Sequence, residues 1–151
     1  MSEKVRRRRL GFQRERELAR KFWSLGFACM RAPASGAKTK RTLYPDLIVI
    51  KEGKVFVMEV KTRERRGIVY IPDEQMRRLL EFARRAGAMP LVAIKFMDGS
   101  SWRFVRADTI GHTRAGTWKV TLEDYEKGYT IEDIVKLTRS EVKLTRFLKA
   151  E

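Results

Sequence analysis

Between residues 10 and 25 the apolar positions Leu18, Ala19, Phe22 and Leu25 recur at i, i+1, i+4 and i+7, the spacing of one face of a helix that Gly26 ends. Phe27 to Ala32 reads as a short strand, and Pro33 to Leu43, polar and basic around Ser35-Gly36, as a loop. The period then changes. Two apolar runs, Asp46 to Ile50 and Val55 to Thr62, flank Glu52-Gly53 and predict a β-hairpin covered on both faces. Asp73 to Ala86 returns to the helical period, with Met76, Leu79, Leu80 and Ala83 as the apolar face, Asp73 as N-cap and Gly87 as the stop. Leu91 to Phe96 and Trp102 to Val105 predict two strands around Asp98-Gly99, and His112 to Val120 an irregular stretch or weak hairpin. Thr130 to Leu148 predicts a helix capped by Thr130, with Asp133 three residues on. The order α-β-β-β-α-β-β-α is that of an α/β or α+β domain on a mixed sheet, spanning 9–151 after a basic arm over 1–8.

Composition narrows the class. A chain of 151 residues with 43% apolar content is one domain with a real core. Its 34 Lys and Arg against 19 Asp and Glu leave a net charge of +15, which calls for a polyanion: nucleic acid, an anionic membrane surface or an acidic protein. No apolar run is long enough to span a bilayer, and Arg6 to Arg9 precede no apolar stretch of a secretory signal. Cys29 stands alone, which excludes an internal disulfide and a cysteine zinc cluster. A cytoplasmic protein is the expectation.

The hairpin brings chemistry into register. With Glu52 and Gly53 as the central loop residues, Lys51 opposes Lys54 and Asp46 opposes Glu59. Directly opposed Cβ atoms lie about 4.5–5.5 Å apart, where like charges repel. Lys61, two residues from Glu59, shares its face. Two carboxylates face to face beside apolar Ile48 and Val57 need a compensating charge, and hard oxygen ligands on a half-buried face suit Mg²⁺ or Mn²⁺. The alternative is a solvated strand end with Lys61 as a salt-bridge partner. Glu15, three and four residues before Leu18 and Ala19, shares the helix's inward stripe, whereas Glu17 points away. A carboxylate there is costly unless paired or metal-bound, or unless it sits at the stripe's wet margin.

Pro45-Asp46 and Glu59-Val60-Lys61 have the form of the PD-(D/E)xK nuclease motif. Around them Gly11-Phe12-Gln13-Arg14-Glu15-Arg16-Glu17-Leu18, Gly26 through Gly36 and Tyr44-Pro45-Asp46-Leu47-Ile48 resemble the archaeal Holliday junction resolvase (Hjc-type) family. Glu81 to Gly87 and Val92 to Phe96 are similar to that family's second helix and following strand, so the resemblance covers about residues 6 to 106. It implies a restriction-endonuclease-like fold and a homodimer that cuts four-way DNA junctions in recombination and repair, with Mg²⁺ or Mn²⁺ as cofactor. It also implies a nucleoid-associated location and further recombination or replication proteins as partners. The pattern carries a helix carboxylate onto Glu15, metal ligands onto Asp46 and Glu59 with the Val60 carbonyl, the catalytic lysine onto Lys61 and a loop serine onto Ser35. Its arginines fall on Arg16 and Arg31.

The basic residues Arg6, Arg7, Arg8, Arg9, Arg14, Lys38, Lys40, Arg41, Arg63, Arg65 and Arg66, with Arg16 and Arg31, flank this site in sequence and suit phosphate contacts rather than base reading. His112 lacks a partner at ligand spacing. Trp23, Trp102 and Trp118 read as packing, and Gln75 flanks the second helix's apolar stripe in a site-lining position. Apolar residues on that helix or the C-terminal one are the expected dimer surface. Two other readings stay open: a repair or restriction-like endonuclease acting on flaps or duplex, and a non-catalytic DNA-binding protein, which would leave Asp46, Glu59 and Lys61 without a purpose.

Overall fold

The computed structural model describes residues 2–33 and 43–139. Ser2 caps the first helix, its hydroxyl accepting from the Val5 N–H at 3.2 Å, and α1 runs through Glu3–Ser24. Residues 3–8, expected as a separate arm, are therefore its first turns. Arginine is a strong helix former, and Glu3 pairs with Arg7 at 2.7 Å one turn on. At the other end Gly26 adopts φ 91°, and the N–H groups of Gly26 and Phe27 bond the carbonyls of Trp23 and Phe22 at 3.0 and 3.1 Å. That left-handed stop is the one Gly26 predicts.

Five strands form the main sheet: β1 (Ala28–Arg31), β2 (Leu47–Lys51), β3 (Lys54–Arg63), β5 (Met89–Phe96) and β6 (Arg103–Arg106), in the order β1-β2-β3-β5-β6. All neighbours are antiparallel except β3 and β5, which are parallel and joined through α2 (Asp73–Ala86). The sheet is mixed, as expected, and apolar on both faces. Alternation along β3 sends Phe56 and Met58 to one side, against Leu18 and Phe22 of α1 and Ile131 and Ile134 of α4 (131–139). Val57 goes to the other side, against Met76, Leu79 and Ala83 of α2. Glu59 and Lys61 continue the α2 side.

The helix at 131–139 has the expected cap: the Thr130 hydroxyl accepts from the Asp133 N–H at 3.2 Å while the Asp133 carboxylate accepts from the Thr130 N–H at 2.9 Å. Its continuation toward Leu148 lies outside the described residues. Asp73 is not the N-cap of α2. Pro72 holds that position, and the Asp73 carboxylate instead accepts from the Trp118 indole at 2.9 Å and pairs with Arg77 at 2.6 Å. A second sheet, β4 (Val69–Ile71), β7 (Gly111–His112) and β8 (Trp118–Val120), turns the weak hairpin of the sequence into one with an added strand. Strands of two or three residues carry no readable period, and α3 (Leu122–Lys127) went unread for the same reason. Trp102 is buried, but Trp23 is 68% exposed, contrary to a packing role, because it lies about 100° around α1 from the inward Phe22. Among the described residues no helix is long and apolar enough to cross a membrane.

Candidate active site

The β2–β3 turn fixes the site's register. Glu52 and Gly53 both adopt left-handed φ (50° and 82°), the requirement of a tight hairpin turn, and pair Lys51 with Lys54 and Leu47 with Met58. One step beyond Leu47 and Met58 stand Asp46 and Glu59, opposed as the register predicts. Asp46 lies just outside β2 and is pinned from two sides. Its Oδ2 accepts from the Val60 N–H at 2.9 Å, and its carbonyl accepts from the Ala32 N–H at 3.1 Å.

Glu59 is buried. Burial, then the charge of Asp46 and a hydrogen bond with it, push the Glu59 carboxyl up to about 9; Lys61 and Arg78 pull the other way. Lys61, on the same face, donates from Nζ to Gln75 Oε1 at 2.6 Å, so the first turn of α2 holds the lysine. Burial lowers the Lys61 ammonium's pKa, against the opposing pull of Glu59 and Asp46. The site-lining position of Gln75 acquires here a definite partner.

Glu15 arrives from the other side of the sheet. It is one turn before Leu18, where α1 runs past the last covered strand residues, and its side chain is 12% exposed against 43% for Glu17. Burial first and the Asp46 charge second raise it to about 7, while Arg31 lowers it, with Nε 3.6 Å from Glu15 Oε1. A solvated strand end does not describe Glu59, which is buried and drawn up rather than down, while the Lys61 ammonium donates to Gln75.

Of these groups Glu15, Lys61 and Gln75 line a cleft of about 1030 Å³ together with Arg7, Arg8 and Arg63, while Asp46 and Glu59 lie behind them, outside its lining. A smaller one of about 470 Å³ adjoins it, lined by Arg9, Phe12, Gln13, Arg16 and Arg31. The structure thus gathers Arg7, Arg8 and Arg63 in the cleft of Glu15 and Lys61 and Arg9, Arg16 and Arg31 in its neighbour, whereas Arg6 is exposed on α1 and lines neither. Ser35, Lys38, Lys40 and Arg41 lie outside the described residues. Phe12, Gly11, Ile68 and Met97 also line the larger cleft and were not singled out from sequence. An aromatic flanked by arginines was the available signal for Phe12.

The donor set fits a hard divalent cation. Two opposed carboxyls, both oxygen donors, stand together beside the Val60 backbone, and a cation between them would relieve their mutual repulsion. Among the described residues no three His, Cys, Asp or Glu side chains converge into a closed metal cage. Asp46 and Glu59 therefore form the close pair, and Glu15 stands apart from it while still feeling the Asp46 charge. His112 lies 3.7 Å from Asp73 and packs against Trp118.

Comparison with known proteins adds independent weight. The family model described as archaeal Holliday junction resolvase (Hjc) matches residues 6–143. The chain is similar to the crossover junction endodeoxyribonuclease Hjc of Sulfurisphaera tokodaii, 36% identical over 131 residues that span 87% of this chain and 89% of that one. It is 31% identical over 131 residues to the protein of the same name from Sulfolobus acidocaldarius, covering 87% and 90% of the two chains. The fold is similar to the solved structure of Archaeoglobus fulgidus Hjc, a Holliday junction resolvase from an archaeal hyperthermophile. That match has a TM-score of 0.69 and 25% identity, covering 82% of this chain and 93% of that one.

Proposed function

Because the chain belongs to the archaeal Holliday junction resolvase family, we propose that it is a metal-dependent endonuclease resolving four-way DNA junctions by paired phosphodiester hydrolysis. The observation that carries this reading is the opposed pair of half-buried Asp46 and buried Glu59, on the strand whose Lys61 lines an arginine-rich cleft.

Asp46, Glu59 and the Val60 carbonyl would hold Mg²⁺, or Mn²⁺, with Glu15 joined directly or through water. When bound, the cation supplies activation of a water molecule and neutralises charge developing on the phosphate. Asp46 is tied to the Val60 N–H, so the backbone of β3 orients the donor set. Lys61, held at Nζ by Gln75, presents its remaining N–H donors to the scissile phosphate and stabilises the pentacoordinate transition state. Arg7, Arg8 and Arg63 in one cleft and Arg9, Arg16 and Arg31 in the other bind flanking phosphates and so read junction shape. Ser35 donates a hydrogen bond to a phosphate near the cut, as the family resemblance implies. A homodimer packed through α2, whose Leu80 and Phe82 are only partly buried, would set two sites on opposite strands of a two-fold junction.

The test is incubation with labelled four-way junction, flap and duplex DNA, with and without Mg²⁺, alongside sedimentation of the free protein. Paired nicks confined to the junction and dependent on Mg²⁺ are expected, from a particle of two chains. Equal cutting of duplex overturns the junction reading, and binding without cutting in any divalent metal overturns the nuclease reading.

A further inference from the structure

Phe12 is an anomaly on α1. It stays 40% exposed and lines both clefts, so its ring forms the ridge between them. Helical spacing puts Arg8 and Arg9 one turn before it and Glu15 and Arg16 one turn after it. The residue before it is Gly11, inside a 22-residue helix, where alanine would favour the fold. Among the described residues a Cβ at Gly11 would meet nothing within 4 Å, so none of them calls for glycine there, yet Gly11 lines the larger cleft. An exposed ring beside bare backbone, bracketed by guanidinium groups, matches a nucleic-acid strand: phosphates on the arginines, the chain close over the glycine, a base on the ring.

On the junction reading above, on which this rests, we propose that Phe12 is a specificity residue whose ring stacks on a base at the point of strand exchange, with that strand closing onto Gly11. A phenyl ring carries no donor or acceptor, so it stacks on any base and reads no sequence. Within a duplex every base already has two stacked neighbours. Where the arms of an unfolded four-way junction meet, the flanking base pairs have lost one. Phe12 thus discriminates shape at the centre of the substrate, while the arginines supply affinity common to all DNA.

The experiment uses the full chain in metal-free buffer with a four-way junction carrying 2-aminopurine beside the exchange point, and a duplex of the same sequence. Wild-type binding quenches the junction probe and leaves the duplex probe unchanged. Phe12→Ala loses the quench and about tenfold in junction affinity, the scale of one base–aromatic stack, with duplex affinity unchanged. Phe12→Trp restores both. Gly11→Ala melts at a higher temperature than wild type yet binds the junction more weakly, separating a ligand role from a folding one. A Phe12→Ala protein that binds and quenches like wild type overturns the inference, as does equal loss on junction and duplex. A wild-type protein with no preference for junction over duplex instead overturns the junction reading and removes this one with it.

Discussion

The β2–β3 hairpin carries a like-charge pair at each end, and the two ends meet opposite fates. At the turn Lys51 opposes Lys54. Lys51 reaches away to donate to the Leu25 carbonyl at 2.9 Å and lies 5.5 Å from the Phe27 ring centre, so its charge is absorbed by a carbonyl, an aromatic face and water. At the open end half-buried Asp46 opposes buried Glu59, and the Glu59 carboxyl is pushed up to about 9. Repulsion across a strand pair is thus minor where each charge has its own outlet. Where burial removes the outlets it raises the cost of ionising the pair, the condition that the proposed cation would relieve.

The largest expected effect breaks the carboxyl pair. Glu59→Gln keeps size and hydrogen bonding but lowers junction cleavage at least about 10²-fold in single-turnover assays, leaving junction binding by gel shift intact. Loss of both together would place Glu59 in folding instead. Next, Mg²⁺ or Mn²⁺ at a hundredfold excess over its Kd stabilises the wild type by about 2.7 kcal/mol, several degrees in Tm. Asp46→Asn, which keeps an oxygen for the Val60 N–H, melts no lower than wild type without metal and gains nothing when metal is added. Calorimetry with equal metal shifts in both proteins would refute the assignment.

A smaller effect concerns Lys61. Gln75→Ala removes its 2.6 Å tether and lowers kcat about tenfold, the scale of a hydrogen bond to a charged group, with junction affinity unchanged. A change confined to KM would mean that Gln75 serves binding rather than positioning. Smallest is the turn end: Lys51→Ala costs under about 1 kcal/mol in denaturant unfolding and leaves cleavage untouched. A loss of activity there would erase the contrast between the two ends.

Much of this was legible in the residues. Glu52-Gly53 demands a turn with two left-handed residues, and that turn determines which positions oppose one another up to Asp46 and Glu59. Alternation then puts Lys61 on the Glu59 face, and the helical stripe turns Glu15 inward and Glu17 out. Other features were misread because the chain's local period is silent about them. An arginine run has no apolar stripe, so the helical first turns of α1 read as an arm. Asp73 has the chemistry of a cap, yet the Trp118 indole, 45 positions away, claims its carboxylate.

Turn geometry, strand alternation and helical period are properties of neighbours in the chain, and they sufficed to align Asp46, Glu59 and Lys61 on one face. The tether from Gln75 to Lys61, the ion pair of Arg31 with Glu15 and the arginine walls of the clefts required the tertiary structure. Each depends on how α1 and α2 cross opposite faces of the sheet. That crossing is set by the packing of Leu18 and Phe22 on one side and Met76 and Leu79 on the other, contacts among residues far apart in sequence.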